Sequence, residues 1–325
     1  MFAVPFRCLL PIVLAAALGG CGATVTGLGP RVAAPSLSAA GFTAADGTVL
    51  PVQSWLPGGG GPAAALLLGL HGFNDYAGAF APAAPFWAHH GIATVAYDQR
   101  GFGRSATRLL WPGTEALVED AAAMVRLLAA RHPGRPLFLM GESMGGAVAL
   151  LTLARHPDLP VAGVVLLAPA VWGAEDVPFP GLLLLDIASF VMPWNRMTPP
   201  EGMRIRPTDN EDEIKAMRAD PLMLKETRTD SVQGLMALMA AAAAAGVPRD
   251  RPVLLLYGLQ DRIVPFEAVA RLAARARAES PLFRERWYDR GYHLLLRDRR
   301  GPRVWRDILA FVRAPARFDG DAARF

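Results

Sequence analysis

The stretch 137–155, LFLMGESMGGAVALLTLAR, constrains this chain more than any other. An apolar run, Leu137 to Met140, ends in Gly141-Glu142-Ser143-Met144-Gly145. An alanine- and leucine-rich segment follows, with no proline before Pro157. That order predicts a strand, a tight turn and a helix, the context in which G-x-S-x-G makes a nucleophile elbow. Such an elbow holds its serine in a strained backbone conformation, with the hydroxyl lifted above the sheet. Gly141 and Gly145 leave room for it, since a side chain at either place would collide across the turn. The backbone N–H of Met144, first in the helix, points where an oxyanion forms. In a chain with 32 glycines the same letters also spell an ordinary small-residue turn. The flanking strand and helix patterns favour the nucleophile.

The 325 residues are 52% hydrophobic and 19% charged, enough for one large α/β domain with an insertion or for two small domains. The net charge is +4, and arginine dominates the basic residues, scattered among acids as in RDRPVLLLYGLQDR. No basic stripe with interleaved aromatics occurs, so a nucleic-acid partner is not expected. The cysteines are Cys8 and Cys21 alone, which excludes a disulfide scaffold and a cysteine-based metal site.

Residues 1–20 read as a signal peptide: Arg7 precedes an apolar run, Cys8 to Leu18, too short for a dependable membrane span. Leu18-Gly19-Gly20-Cys21 resembles the lipobox of bacterial lipoproteins. That resemblance implies cleavage before Cys21 and acylation of its thiol and new amino terminus, several chains anchoring far better than one. An ordinary secretory signal with an incidental cysteine is the alternative. Gly22 rather than Asp after the cysteine points to the outer membrane of a bacterial envelope. Residues 21–37 are then a short tether.

The folded body is expected over 38–314, with a loose tail at 315–325. Asp46-Gly47 between extended runs signals a hairpin. Ala64 to Leu70 is a continuous apolar run suited to a buried parallel strand, ending in His71-Gly72-Phe73-Asn74. One helix carrying Phe80, Phe86 and Trp87 is expected before Gly91. A strand, Ile92 to Tyr97, runs into Asp98-Gln99-Arg100-Gly101. Helices are expected from Thr114 to Arg131, around Pro265 to Ala278 and from Pro302 to Arg313. Further strands fall at Val161 to Ala168, Val253 to Tyr257 and Phe283 to Tyr288. Alternating strands and helices give an α/β fold with a mostly parallel central sheet flanked by helices. The segment 171–248 breaks the alternation. It holds an apolar piece from Phe179 to Trp194, a polar proline-containing piece, and an alanine-rich helix ending at Gly246.

A serine hydroxyl needs a base to take its proton, and the base needs an orienting acid. On a strand–elbow–helix scaffold of this kind the order along the chain is Ser, then Asp or Glu, then His. Of the six histidines only His156 and His293 follow Ser143. His156 ends the helix after the elbow. His293 lies in Arg290-Gly291-Tyr292-His293, a loop after the last strand, and is the candidate base. For the acid, Asp261 follows the strand Val253–Tyr257 at its carboxyl end, where open α/β sheets collect their chemistry. A loop carboxylate paired with Arg262 is the alternative reading. The N–H of Phe73 is the candidate second oxyanion donor, and His71 is expected to tie neighbouring loops together. Glu142 is expected to turn away from the site into a structural ion pair, with a loop arginine as its partner.

The motifs HGFNDYAGAF, YDQRGFGRS, GESMGGAVAL, DPLM, YGLQDRIVP and GYHLLLRD, taken together, resemble the monoglyceride lipase and lysophospholipase group of the α/β-hydrolase superfamily, serine hydrolases also filed with the S33 aminopeptidases. The resemblance runs from about Phe42 to Arg313. It implies Ser143, Asp261 and His293 as a triad, Phe73 and Met144 as oxyanion donors, and a cap over the site formed by 171–248. It implies hydrolysis of lipid-like carboxylic esters, monoacylglycerols or lysophospholipids, through an acyl-enzyme, with no metal or organic cofactor. Many members read G-H-S-M-G-G where this chain has Glu142, and carry His or Glu where Asp75 and Tyr76 stand. A short-chain carboxylesterase, a thioesterase or an acyltransferase would use the same triad. No acidic pair is clearly placed to hold a peptide amine. The alternative from another class is a non-catalytic envelope lipoprotein that binds and does not cleave.

Overall fold

The computed structural model describes residues 25–59, 61–173, 179–198 and 206–318, with side chains from Leu184 onward in the third stretch. The expected signal peptide, Cys21 and the end of the tail lie outside the described residues.

The chain enters through a small antiparallel sheet of β1 (Ser36–Ser38), β2 (Gly41–Thr43) and β3 (Val49–Leu50). Asp46-Gly47 makes the turn between β2 and β3. The Thr48 N–H donates to Asp46 Oδ1 at 3.0 Å, and Gly47 sits at φ 81°, a conformation that costs glycine least. The central strands follow: β4 (Val52–Trp55), β5 (Ala65–Leu70), β6 (Ile92–Tyr97), β7 (Leu137–Glu142) and β8 (Gly163–Leu167). Two short strands, β9 (Arg196–Met197) and β10 (Thr227–Arg228), pair with each other outside that sheet. Strands β11 (Val253–Gly258) and β12 (Phe283–Tyr288) complete the central one.

The seven central strands stand in the order β12-β11-β8-β7-β5-β6-β4. Only β4 is antiparallel to its neighbour. Every residue of β5, β7, β8 and β11 is buried, as their unbroken apolar runs require when both faces are covered. One face packs on α2 (Thr114–Arg131), α3 (Met144–Arg155), α6 (Thr229–Ala245) and α7 (Phe266–Glu279). The other packs on α1 (Ala84–His89) and α8 (Gly301–Arg313). From β5 the chain steps outward to β6; from β7 it steps the other way through β8 and β11 to β12. The direction reverses between β5 and β7, and ligand crevices of open α/β sheets form outside the carboxyl ends at that reversal. The loops carrying His71-Gly72-Phe73 and Ser143 leave the sheet there.

The structure departs from the sequence reading in four places. The single helix expected before Gly91 is split into a 3-10 turn, Ala77–Phe80, and the short α1. Pro82 and Pro85 lie at that break, and proline has no N–H to continue a helical ladder. The polar piece of 171–248 contains α5 (Glu211–Ala219), started by Asn210, whose side chain accepts from the Asp212 N–H at 3.3 Å. It lies between α4 (Phe179–Val191) and α6. The chain after Ala314 stays on the body through a 3-10 turn, and Phe318 packs edge-on against Phe311 with Arg286 over its ring. At the other end Val25, within the expected tether, bridges to Trp111.

Candidate active site

Ser143 sits between β7 and α3 at φ 53° and ψ −117°, a region costly for any residue with a side chain. Close packing fixes that turn. A Cβ on Gly141 would lie 2.3 Å from the Gly145 carbonyl oxygen, and one on Gly145 would lie 2.0 Å from the Leu70 carbonyl oxygen. The first glycine therefore clears the elbow itself, and the second lets α3 press against the end of β5. The Ser143 N–H donates to the Leu167 carbonyl at 2.9 Å, and the Ala170 N–H donates to the Ser143 carbonyl at 3.0 Å. The elbow is thus held from β8 as well.

Asp261 and His293, from loops after β11 and β12, meet. His293 Nδ1 lies 2.7 Å from Asp261 Oδ2, with both residues buried. A carboxylate accepts, so Nδ1 carries the proton and Nε2 is left as the basic nitrogen. The other Asp261 oxygen accepts from the Ile263 N–H at 2.7 Å and the Val264 N–H at 3.1 Å. This carboxylate is held by the turn it belongs to, and its partner is His293, not Arg262. Burial lowers the proton affinity of His293, but Asp261, with help from Glu142 and Asp298, more than offsets this and the pKa is raised. Ser143 keeps 9% of its surface exposed, and among the described residues no hydrogen bond joins its hydroxyl to the imidazole. That bond commonly tightens only with substrate in place.

The loop after β5 is tied down by the loop after β6. The Gln99 N–H donates to His71 Nε2 at 2.9 Å, so His71 is neutral there and its Nδ1–H donates to the Gly72 carbonyl at 2.8 Å. Burial lowers the His71 pKa in keeping with that tautomer. Gln99 Nε2 donates to the His71 carbonyl, while Asp98 accepts from the Ala77 and Arg104 N–H groups. Arg100 grips Asp46 and Asp120 with two nitrogens each, at 2.6–3.1 Å. These bonds account for the D-Q-R run in physical terms: Asp98 and Gln99 tie the loop after β5, and Arg100 ties the β2–β3 turn to α2. Gly72 packs against Ser143, a Cβ there lying 3.4 Å from the serine Cβ. Neither the Phe73 N–H nor the Met144 N–H has an acceptor among the described residues.

The segment between β8 and β11 is fastened to the loops after β5 and β12. Asn74, at φ 64°, accepts through its carbonyl from the Leu224 N–H and donates to Thr227 Oγ1 at 2.7 Å. Tyr76 donates to Asp220 at 2.7 Å, the aspartate of D-P-L-M. On the other side the Leu294 N–H donates to the Pro207 carbonyl, and Thr208 donates to the Arg297 carbonyl.

Two buried groups escaped the sequence reading. Arg297 is paired with Asp75 at 2.6 Å, both side chains buried, though 222 positions separate them. No local pattern announces that pair. Glu142 does turn away from the elbow, but it makes no ion pair. It is fully buried and among the described residues neither carboxyl oxygen has a hydrogen-bond partner, while Arg297 is paired with Asp75. Burial pushes its carboxyl up to about 7. Among the described residues no three His, Cys, Asp or Glu side chains are grouped as metal ligands would be.

The family described as serine aminopeptidase, S33 matches residues 61–300. The chain belongs to that family. Its likeness to the monoglyceride lipase of Homo sapiens is 28% identity over 255 residues, covering 77% of this chain and 82% of that one. Two solved structures share the fold. The monoacylglycerol lipase of Paleococcus ferrophilus superposes with a TM-score of 0.67 at 22% identity, covering 82% of this chain and 99% of that chain. A soluble variant of the monoglyceride lipase of Saccharomyces cerevisiae, in complex with a substrate analogue, superposes with a TM-score of 0.71 at 18% identity, covering 87% and 96%. This member of the S33 family is a serine hydrolase.

Proposed function

We propose that this hydrolase cleaves monoacylglycerol- or lysophospholipid-like esters through an acyl-enzyme, with Ser143 as nucleophile, His293 as base and Asp261 as its orienting acid. The observation that carries the reading is the buried Asp261–His293 hydrogen bond at the same sheet rim as the strained serine. The Ser143 Oγ attacks the ester carbonyl while its proton passes to His293 Nε2. The Phe73 and Met144 N–H groups receive the oxyanion, each such donor contributing about 3 kcal/mol. His293 then returns the proton to the leaving alcohol, and water releases the acyl group by the same steps in reverse.

A lipid-like substrate is supported by the similarity to monoglyceride lipases and by α4, within a cap formed by 171–248. Leu184, Ile187 and Val191 make one stripe of that helix, continued by Phe190, Met192 and Trp194, and all six are exposed. On the opposite side Ser189 is buried and bonds to the Thr229 carbonyl at the start of α6. An apolar stripe rimmed by polar surface suits contact with acyl chains or a bilayer. The N-terminal sequence supports an envelope lipoprotein acylated at Cys21 and held on the outer membrane, close to such substrates.

The test is a hydrolysis panel of monoacylglycerols, lysophospholipids and short p-nitrophenyl esters, run beside a fluorophosphonate label. Label on Ser143 with preference for long acyl chains is expected. Preference for short soluble esters alone would replace the lipid reading with a general carboxylesterase, and absence of label would leave a binding protein.

A further inference from the structure

Glu142 is the last residue of β7 and the immediate neighbour of Ser143, and among the described residues its buried carboxyl has no hydrogen-bond partner to explain its burial. Strand alternation puts it on the face of Phe138 and Met140, against the turn Leu295–Arg297 that follows His293. The groups nearest it in the register and in charge are committed elsewhere. His71 is beside it, since Leu70 pairs with Gly141 in the register; its Nδ1–H goes to Gly72 and its Nε2 accepts from Gln99. Arg297 is committed to Asp75. Asp298 accepts from the Tyr292 and Asp209 N–H groups and has nothing to give. A buried carboxyl left without a bond normally costs stability, so its retention beside a nucleophile calls for a use.

We propose that Glu142 is a positioning residue for the reaction: its unbonded carboxylate is the second negative charge, after Asp261, against which His293 becomes an imidazolium when Ser143 attacks. This rests on the triad reading given above. The charge acts through space, and the step balances without it: the Oγ–C bond forms, the serine proton moves to Nε2, and the carbonyl electron pair moves to the oxyanion. Glu142 favours the charged side of that step. The field at Glu142 has contributions from every side: Arg297 favours its ionised form, as does a protonated His293, while Asp75 and Asp298 oppose it. Burial pushes its carboxyl up to about 7 and that of Asp298 up to about 6, so each is a charge that changes near neutrality; the proposal therefore expects the Glu142 charge to be felt in the titration of His293.

The sign of the effect follows directly. Removing a negative charge lowers the proton affinity of His293, so the acid limb of activity moves to lower pH while the imidazolium formed in the reaction is less stable. In Glu142→Gln the shape is kept and the charge is lost. The rate of fluorophosphonate labelling, followed across the acid limb, should fall roughly tenfold on its plateau, and the limb should move down by roughly half to one pH unit. An E142Q plateau or limb that matches the original protein overturns the proposal, as does a uniform loss with the limb unmoved. Should the E142Q chain not fold, the downfield Nδ1 proton of His293 in the unaltered protein carries the test. The proposal expects its titration to spread over more than one step, and a single one-proton curve overturns it. A protein that takes no label at Ser143 at any pH fails at the triad itself, which is a separate result from an unmoved limb.

Discussion

The sheet rim and the segment between β8 and β11 face each other across Ser143, and they are built on different terms. At the rim the loops are cross-tied by side chains: Asp261 accepts three bonds, His71 accepts one and donates one, and Arg100 bridges two carboxylates. The segment touches the rim through a few joints at Asp220, Leu224, Thr227, Pro207 and Thr208, and presents bare apolar side chains on α4. The difference separates two jobs. A rim tied at this density holds reacting groups to fractions of an ångström, which is what proton transfer and oxyanion binding require. The segment is rooted in the core through α6, while α4 presents apolar side chains outward.

Substitutions sharpen that division, beginning with the largest effect. Ser143→Ala should lower ester turnover by about six orders of magnitude with the fold unchanged, measured by kcat and by circular dichroism. Asp261→Asn should cost about four orders of magnitude in kcat, because the imidazole is then held in the wrong tautomer. Arg100→Met tests the support of the rim and not its chemistry. It leaves Asp46 and Asp120 buried without their counter-charge and should cost about 3–5 kcal/mol in denaturant unfolding.

The same pair has a pH signature. The hydrogen bonds from Arg100 hold the Asp46 carboxyl well below the usual carboxylate range. Its contribution is complete above the ordinary carboxylate pKa and is lost as pH falls through that value toward the folded one. The melting temperature should decline in that acid window, and more steeply than in Arg100→Met. In the segment the effect should be smaller and of another kind. Replacing Leu184 and Ile187 together by serine should leave short soluble esters untouched and reduce turnover of vesicle-borne monoacylglycerol roughly tenfold, as two exposed apolar side chains lose their contact. Equal losses on both substrates would mean that α4 supports the rim after all.

How much of this was legible in the sequence depended on the reach of each signal. The elbow announced itself because strand, glycines and helix are consecutive; chain order and placement in loops after strands then pointed to His293 and Asp261, which the structure joins. Continuous apolar runs marked β5, β7, β8 and β11 to within a residue or two. The one helix expected to carry Phe80, Phe86 and Trp87 before Gly91 is broken at Pro82 and Pro85, and α5 was hidden in a polar stretch whose only cue was Asn210 before three acids. Glu142 was given an arginine it does not have. Which acid captures Arg297 is decided by how the loops after β5 and β12 fold against each other, and no spacing along the chain encodes that.

One feature at the entrance to the fold bears on orientation. Val25 bridges to Trp111, the Thr26 N–H donates to the Trp111 carbonyl at 3.0 Å, and the Trp111 ring lies 6.3 Å from that of Phe73. The polypeptide therefore arrives one aromatic ring away from the loop beside the nucleophile. Whatever meets the fold at this end meets it within one side chain of the Phe73 loop.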